Sequence, residues 1–252
     1  MTSGPAQKSM PEAKFVALVT GAGVRLGSAS ARALAARGAS LALHYRSSVE
    51  GVERLAQELR ETGVDCAIFQ ADLAAPSSYA TLVSEVEKRF GRLDILVNNS
   101  GIYESSPFEN VTLEEFEKVV AINLRAPFFL TQSALPLLRA SGGCVINITD
   151  TDVGAPYPGY AHYFASKGGL EVLTAALATE LGPDVRVNGI GPGTVAVPVG
   201  MSVAEGEALG AAVPLRRVGE PEDVAKTVAY LAYDAPYVTG QVIRVDGGRV
   251  TR

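Results

Sequence analysis

The sequence is poor in the residues that bind metals and form disulfides. It holds only two cysteines and two histidines in 252 residues, and their spacing matches no metal-ligand pattern. Cys66 and Cys144 both fall in apolar, strand-like runs, which is typical of small core residues in a reducing compartment. We therefore expect neither a bound metal nor a disulfide framework.

Long apolar runs and dense basic clusters are also absent. No apolar stretch is long enough to cross a bilayer, and no Lys/Arg run indicates nucleic-acid binding. The net charge is −5, with 47% hydrophobic and 19% charged residues, which is ordinary for a globular protein. Residues 1–13 lack the apolar core of a signal peptide and are predicted to be a flexible tail. The expectation is a cytoplasmic protein with a small-molecule substrate and no membrane or nucleic-acid partner.

Apolar runs alternate with amphipathic stretches along the rest of the chain. Strands are predicted at residues 15–20, 41–45, 65–70, 93–97, 144–148, 185–189 and 241–245. Helices are predicted at residues 25–37, 49–61, 76–90, 113–140 (with a bend near Pro127), 160–181 and 221–231. Fully apolar strands that alternate with helices predict a parallel sheet covered on both faces. Residues 14–252 are therefore predicted to form a single α/β domain, a Rossmann-type doubly wound sheet of about seven strands.

A glycine-rich turn joins the first predicted strand to the first predicted helix. It reads Thr-Gly-Ala-Gly-Val-Arg-Leu-Gly and includes Gly21, Arg25, Leu26 and Gly27. Such a turn also occurs without a ligand, and the strict G-x-G-x-x-G pattern fails because Leu26 holds its last position. Between a strand and a helix, however, it lets the backbone approach a pyrophosphate at the positive end of the helix. A dinucleotide site is therefore predicted here.

The end of the second predicted strand carries no acidic residue. NAD sites place an acid about 20 residues after the glycines, where it binds the ribose hydroxyls. This chain has Tyr45, Arg46, Ser47 and Ser48, and no acid before Glu50. A guanidinium can bind a 2′-phosphate through two hydrogen bonds, and the serine hydroxyls add donors. The predicted cofactor is NADP(H), with Arg25 as a second positive charge nearby.

Tyr163 and Lys167 are spaced to share one face of a helix. The ammonium could stabilise a phenolate and bring the tyrosine pKa, ordinarily about 10, closer to the working pH. Tyr160 is the rival tyrosine, but the residue four positions after it is Phe164. This pair is the predicted proton-transfer centre.

Together these motifs resemble the short-chain dehydrogenase/reductase family over about residues 14–252. The glycine turn is similar to the family's Thr-Gly-x-x-x-Gly-x-Gly, with Arg25 replacing the middle glycine. The resemblance implies that Asn123 holds a water for proton relay, that Tyr163 is the general acid, and that Lys167 binds the nicotinamide ribose. It also implies cofactor contacts from the loops after the later strands, at Asp72, Leu73, Asn99, Ser100, Gly101, Pro192, Gly193 and Val195.

Asp150 departs from the family pattern. It lies thirteen residues before Tyr163, where the family usually has a serine that donates a hydrogen bond to the substrate carbonyl. An ionised carboxylate would oppose a developing alkoxide, so either burial keeps Asp150 protonated or the substrate develops positive charge, as a C=N bond does. A shift of one residue would instead make Thr151 the functional hydroxyl.

Asp150, Arg25 and the His44-Tyr45 pair resemble the pteridine reductase branch of the family. That branch implies a pterin stacked on the aromatic residue at Tyr103, with Arg25, Asp150 and Tyr163 also near the substrate. It often has serine at the position of Gly101. An arginine near the C-terminus of those proteins enters a neighbouring subunit's site, and Arg252 is the nearest candidate. Residues 195–214, where a substrate-covering loop belongs, match no known pattern and are predicted to form a mobile lid.

Three functions remain open on this evidence. The first is an NADPH-dependent pteridine or dihydrofolate reductase. The second is a carbonyl reductase for 3-oxoacyl or sugar-like ketones, with Asp150 as a protonated donor or a bystander. The third is a catalytically idle nucleotide-binding sensor or scaffold. The family commonly forms homotetramers through its two long helices, which begin here near Leu113 and Tyr160, and a homotetramer is expected.

Overall fold

A seven-stranded, wholly parallel sheet forms the centre of the computed structural model, which describes residues 15–195 and 202–251. The strands are β1 Phe15–Val19, β2 Ala39–Tyr45, β3 Cys66–Gln70, β4 Ile95–Asn98, β5 Cys144–Ile148, β6 Arg186–Pro192 and β7 Val242–Val245. Their spatial order is β3-β2-β1-β4-β5-β6-β7. The predicted single α/β domain with a doubly wound sheet is confirmed.

Helices cover both faces of this sheet. They are α1 Arg25–Ala36, α2 Val49–Glu61, α3 Ser78–Phe90, α4 Leu113–Val120, α5 Ala126–Ser141, α6 Ala161–Leu181, α7 Val203–Ala211 and α8 Pro221–Ala229. Within the described ranges, none of the helices has the length and apolarity needed to cross a membrane.

The two cores follow from the alternation of side chains along each strand. In β1, Ala17 and Val19 face a core shared with α1, α2 and α8. Val16 and Leu18 point to the opposite face, into a core shared with α3, α5 and α6. Each fully buried leucine or valine contributes roughly 1.5–3 kcal/mol by leaving water. The central strands β1 and β4 are buried on both faces, which is why their sequences read as continuous apolar runs.

The long helix predicted at residues 113–140 is divided in two. A π-helical turn, Ala121–Arg125, separates α4 from α5. Pro127 is the second residue of α5, and the backbone keeps helical dihedral angles through the junction. The irregularity near this proline is therefore the π-helical turn that directly precedes α5. Asn123, within the π-helical turn, hydrogen-bonds to the loop after β4. The extra residue of a π-turn is a common feature near functional sites.

The lid region also differs from its prediction. Residues 196–201 lie outside the described residues, but α7 follows them directly. Its start is a capping box in which Ser202 accepts from the Glu205 N–H and the Glu205 side chain accepts from the Ser202 N–H. Such reciprocal capping satisfies two backbone donors. A helix therefore occupies part of the stretch for which only a loop was predicted.

The sheet order reverses between β1 and its two neighbours, β2 and β4. The loops after β1 and β4 therefore leave toward opposite sides and open a crevice at the carboxyl ends of the strands. Within the residues that the structure describes, the loop motifs singled out in the sequence lie at this edge.

Candidate active site

One cavity of about 560 Å³ runs along the carboxyl edge of the sheet. Its walls come from the loops after the first six strands, from α6 and from the C-terminal segment. The predicted cofactor residues that line it are Gly21, Arg25, Leu26, Tyr45, Arg46, Ser47, Ser48, Leu73, Asn99, Ser100, Gly101, Lys167, Pro192, Gly193 and Val195. The structure thus brings together motifs from distant parts of the chain.

The glycine turn after β1 is packed too tightly for side chains. Gly21 adopts φ +64°, and a Cβ on Gly27 would lie 2.1 Å from the Gly21 carbonyl oxygen. Gly27 therefore supports the turn from behind and does not line the cavity. The residue before α1, Val24, offers no side-chain cap, so the first N–H groups of this helix are available for an anion. This geometry fits the pyrophosphate of a dinucleotide.

His44 fixes the glycine turn from below. Its Nδ1 accepts from the Gly21 N–H at 3.1 Å, which requires the neutral ring with its proton on Nε2. Nε2 then donates to the Ala71 carbonyl at 3.1 Å. Burial lowers the pKa of His44 to about 4, so the ring stays neutral at ordinary pH. The sequence drew attention to His44 only through the resemblance; this bracing role was not predicted.

Asn99 and Thr20 brace the same turn from the side of β4. The Asn99 Nδ2 donates to the Thr20 carbonyl at 2.8 Å and to the Gly21 carbonyl at 3.2 Å. The Thr20 hydroxyl in turn accepts from the Asn99 and Ser100 N–H groups, each at 2.9 Å. Asn99 therefore positions backbone as well as lining the cavity.

The adenosine end of the cavity carries positive charge and hydroxyls. Arg46, Ser47 and Ser48 are exposed at the end of β2 and line the wall, whereas Glu50 begins α2 outside it. Arg25, predicted as a second positive charge nearby, has φ +47° and donates from Nη2 to the Val195 carbonyl at 3.4 Å. This contact ties its guanidinium to the segment after β6 and not to Arg46, which therefore carries the charge at the adenosine end. This charge pattern suits a 2′-phosphate.

Asp72 differs from its neighbour Leu73. Leu73 lines the cavity, while the Asp72 carboxylate turns back to accept from the Ala74 N–H at 3.0 Å. This contact closes the turn before α3. Of the two residues after β3 predicted to contact the cofactor, Leu73 lies on the cavity wall and Asp72 is occupied by local turn structure.

Tyr163 and Asp150 are joined directly. The Tyr163 hydroxyl donates to Asp150 Oδ2 at 2.7 Å, and Asp150 Oδ1 accepts from the Asp152 N–H at 2.8 Å. Tyr163 extends from the first turn of α6, while Asp150 follows β5, so the parallel sheet sets their approach. Lys167, one helical turn after Tyr163, is almost fully buried and donates to the Ile148 carbonyl at 2.7 Å.

The electrostatics favour a neutral tyrosine. Burial, together with the adjacent Asp150 carboxylate, raises the pKa of Tyr163. Burial lowers the pKa of Lys167 to about 8, against the opposing effect of Asp150. The expectation that Lys167 lowers the tyrosine pKa is not met here, because the ammonium lies 6.0 Å from the ring centroid while the carboxylate touches the hydroxyl. Tyr163 therefore keeps its proton at ordinary pH, which a general acid must do before it can donate.

Asp150 itself is drawn toward its neutral form. Burial raises the pKa of this carboxyl, and the hydrogen bond from Tyr163 opposes the shift only in part. Thr151, the alternative functional hydroxyl, is fully buried and donates to Asp246 Oδ2 at 2.8 Å. That alternative is wrong, because Asp150 and not Thr151 faces Tyr163.

Asn123 lies behind the cavity wall. Its Oδ1 accepts from the Ile102 N–H at 2.8 Å, and its Nδ2 donates to the Ile102 carbonyl at 3.0 Å and to the Ser166 hydroxyl at 3.1 Å. The side chain is fully buried. In this arrangement Asn123 joins the loop after β4 to α6, so any effect on proton transfer would pass through the backbone that it holds.

Aromatic rings form the outer wall beside Tyr163. Tyr103 is 54% exposed and stacks on Tyr160 with centroids 4.5 Å apart. Its edge meets the Tyr163 ring at 4.9 Å, and its hydroxyl hydrogen-bonds to that of Tyr157 at 2.8 Å. Tyr103 thus borders the cavity as predicted, whereas the rival Tyr160 serves as its stacking partner.

Asp152, Tyr157, Thr194 and Arg249 are among the wall residues that were missed in the sequence. Arg249 Nε donates to Asp152 Oδ1 at 2.8 Å, and its Nη1 donates to the Thr194 hydroxyl at 3.2 Å. The available sequence signals were a second aspartate two residues after Asp150 and an arginine directly after residues 245–248, which read Val-Asp-Gly-Gly. Arg252, predicted to reach a neighbouring subunit, lies outside the described residues.

Comparison with known proteins agrees with this geometry. A family model described as enoyl-(acyl carrier protein) reductase matches residues 21–249. The chain is 36% identical over 237 residues to 3-oxoacyl-(acyl-carrier-protein) reductase FabG of Staphylococcus aureus, covering 92% of this chain and 96% of that protein.

Solved structures give the same result. A blue fluorescent protein from a metagenomic library, crystallised with NADPH, is 37% identical with a TM-score of 0.86, covering 94% of this chain and 98% of that one. A short-chain dehydrogenase/reductase from Serratia marcescens is 32% identical with a TM-score of 0.89, covering 95% and 99%. This chain belongs to the short-chain dehydrogenase/reductase family.

Proposed function

We propose that this protein is an NADPH-dependent carbonyl reductase that acts on a ketone of the 3-oxoacyl or sugar-like class. The observation that carries the proposal is the Tyr163 hydroxyl, held as a neutral donor in the same cavity as the cofactor residues. The similarity to a 3-oxoacyl reductase supports the ketone class. The proton donor also favours a carbonyl reductase over the idle nucleotide-binding sensor, because a sensor would not need one.

The cofactor is NADPH. Arg46, with Ser47 and Ser48 beside it, provides the charge and donors for a 2′-phosphate, and the similar structure that contains NADPH supports the same choice. When bound, NADPH supplies the hydride. The protein's own residues then have to orient the ring, exclude water and deliver one proton.

Tyr163 delivers that proton to the carbonyl oxygen as hydride reaches the carbon, so ketone, hydride and proton give the alcohol. A well-placed general acid is worth about 10²–10⁴ in rate. Lys167 contributes positive charge at 6.0 Å from the tyrosine ring. In the free protein both Asp150 oxygens accept hydrogen bonds, from the Tyr163 hydroxyl and from the Asp152 N–H. For a ketone substrate, Asp150 takes up a proton and donates the second hydrogen bond to the substrate oxygen, as the family's serine does. Burial shifts the pKa of Asp150 in the direction that this step needs.

A second candidate is favoured by the Asp150–Tyr163 hydrogen bond itself. Two like charges about 4 Å apart cost roughly 4 kcal/mol at a surface-like dielectric, so an ionised Asp150 would oppose an alkoxide. A protonated C=N nitrogen would instead be stabilised by it. That is the requirement of a dihydropterin or dihydrofolate substrate, whose flat ring could also contact Tyr103. The pteridine reductase reading rests on this pair and on the motif resemblance.

The test follows NADPH oxidation with a 3-oxoacyl thioester and with dihydrobiopterin, using the native protein and Asp150→Ser. The carbonyl proposal predicts turnover of the thioester, retained or increased in Asp150→Ser. Turnover of dihydrobiopterin alone, lost in Asp150→Ser, would overturn it in favour of the second candidate. No turnover of either substrate, nor of a wider ketone panel, would favour a non-catalytic nucleotide-binding role.

The proposal includes a homotetramer assembled through α4, α5 and α6. These helices leave large apolar side chains in solvent, at Leu113, Phe116, Phe128, Phe129 and Val172. Exposed apolar groups concentrated on a few helices are typical of an association surface. Sedimentation of the full chain would test it, and a monomer at micromolar concentration would count against it.

A further inference from the structure

Two side-chain contacts from the C-terminal segment hold the residues that follow Asp150. Asp246 Oδ2 accepts from the Thr151 hydroxyl at 2.8 Å, and Arg249 Nε donates to Asp152 Oδ1 at 2.8 Å. Asp150 thus immediately precedes two residues tied to a segment almost 100 positions away in the sequence. Its own carboxylate accepts the Asp152 N–H, so the Asp152 backbone bears directly on the orientation of Asp150.

The C-terminal segment is itself ordered by hydrogen bonds. Asp246 Oδ1 accepts from the Gly248 N–H at 2.8 Å, and its Oδ2 accepts from the Val250 N–H at 3.2 Å. The short turn that these bonds form carries Arg249 into the cavity wall. Thr194, at the end of β6, receives the second guanidinium hydrogen bond. Arg249 therefore approaches Asp152 in a fixed geometry, with side chains that are 31% and 12% exposed.

The charges around Asp150 do not balance without Arg249. Six ionisable side chains act on it or feel its charge: Asp152, Tyr157, Tyr163, Lys167, Glu171 and Arg249. They include two further carboxyls and two cations, and Glu171 is compensated separately by Arg244. Without Arg249, Lys167 would be the one remaining cation of this set, against the two carboxyls of Asp150 and Asp152. In a partly buried site such an excess of negative charge acts over several ångströms.

We propose that Asp152 and Arg249 are a positioning pair for Asp150. The Arg249 guanidinium cancels the charge of the Asp152 carboxylate and thereby sets the protonation of Asp150. The pair acts through Asp150, and neither member takes part in the proton transfer itself. The inference rests on the proposed function only in assigning Asp150 a catalytic role. It applies equally to a ketone and to a C=N substrate.

The proposal predicts the direction in which each substitution shifts the pKa of Asp150, which a purely structural contact would not. Arg249→Met leaves Asp152 uncompensated, so the pKa of Asp150 should rise further. Asp152→Asn leaves Arg249 as an extra cation and should lower the pKa of Asp150. Asp152→Asn keeps the backbone N–H that Asp150 accepts. In the double variant the two effects should largely cancel, and Arg249→Lys should stay close to the native value.

Two readouts follow these variants in the full-length protein. The first is the titration of the Asp150 carboxyl by ¹³C NMR, assigned by the signal lost in Asp150→Asn. The second is the pH profile of kcat/KM, whose inflection should move with the NMR value. Arg37→Met is the matched control, because Arg37 pairs with Asp234 at 2.8 Å on the surface, away from the cavity.

Opposite shifts with cancellation in the double variant are the expected result. Shifts of the same sign in both single variants, or lost activity with an unchanged Asp150 titration, would overturn the proposal. If the protein turned over no substrate while the carboxyl still titrated as predicted, the proposed function would fail and this inference would stand.

Discussion

The two halves of the cavity differ in what forms their walls, which is mainly backbone in one and side chains in the other. Around the glycine turn the wall is largely backbone. It is packed so closely that a Cβ added to Gly27 would lie 2.1 Å from the Gly21 carbonyl oxygen. Around Tyr163 the wall is made of charged and hydroxyl side chains, with Asp150 and Lys167 close by. We refer to these as the cofactor half and the chemical half.

This difference has a consequence for how substitutions act. In the cofactor half a substitution should change the affinity for NADPH. The backbone there holds the dinucleotide equally before and during the reaction, so the rate of the bound complex should change little. In the chemical half a substitution should change protonation and rate, because the groups there differ mainly in charge state. Three variants test whether the halves are as separable as their construction suggests.

The largest expected effect is in the chemical half. Tyr163→Phe removes the proton donor and should lower kcat by about 10²–10⁴-fold. Affinity for NADPH, followed by the change in cofactor fluorescence, should remain within a few-fold of native. Tyr160→Phe is the control, since its ring lies 6.3 Å from that of Tyr163 without contacting Asp150. Equal losses in both variants would show that the aromatic wall, not the proton donor, limits the rate.

A smaller effect is expected at the adenosine end. Arg46→Ala removes the charged donor that we propose for the 2′-phosphate, and such a hydrogen bond is worth about 1.5–3 kcal/mol. NADPH should bind about 10–100-fold more weakly, while affinity for NADH should change little. Arg54→Ala, an exposed arginine of α2 outside the cavity wall, is the control. Unchanged discrimination between the two cofactors would mean that another group reads the phosphate.

The smallest effect is expected from the brace beneath the glycine turn. His44→Gln disturbs two hydrogen bonds, each worth about 1 kcal/mol, and should weaken NADPH binding several-fold with kcat unchanged. The other buried histidine, His162, lies outside the cavity wall, so His162→Gln should leave NADPH affinity unaltered. A comparable loss in both variants would point to general destabilisation.

The same histidine gives a pH dependence. The folded-state pKa of His44, about 4, lies below its ordinary 6.5, so between these values the unfolded chain binds the proton and the folded chain does not. The native protein should therefore lose stability as pH falls from about 6.5 toward 4. Urea unfolding at several pH values should show that the difference in free energy of unfolding between the native protein and His44→Gln becomes smaller as pH falls from about 6.5 toward 4. A constant gap would mean that His44 does not titrate as its burial suggests.

The fold was largely predictable because its signals are local. Apolar runs such as Val16–Val19 identify buried strands, and glycines after helices, as at Gly91 with φ +72°, mark their ends. The π-helical turn at Asn123 was not predicted. It depends on a partner, Ile102, from a different loop, and periodicity along one segment carries no information about such a partner.

Some residues of the site could be predicted from the sequence and others could not. Residues whose role follows from backbone conformation, such as Gly21 and Gly27, could be found from spacing. Arg249 could not, because its importance lies in a contact with Asp152 at a separation of 97 positions. The direction of the Tyr163 pKa shift was also missed, since it depends on which of Lys167 and Asp150 lies nearer the hydroxyl.

The sequence by itself determined the parallel α/β sheet and the cofactor turn, and it singled out Tyr163 as the candidate proton donor, because each depends on residue type and local spacing. Only the tertiary structure decided that Asp150, rather than Thr151, faces Tyr163. It also decided that the C-terminal segment supplies Arg249 to that site. The physical reason is that protonation depends on distances between charges, and those distances are fixed only when strands far apart in the chain pack side by side.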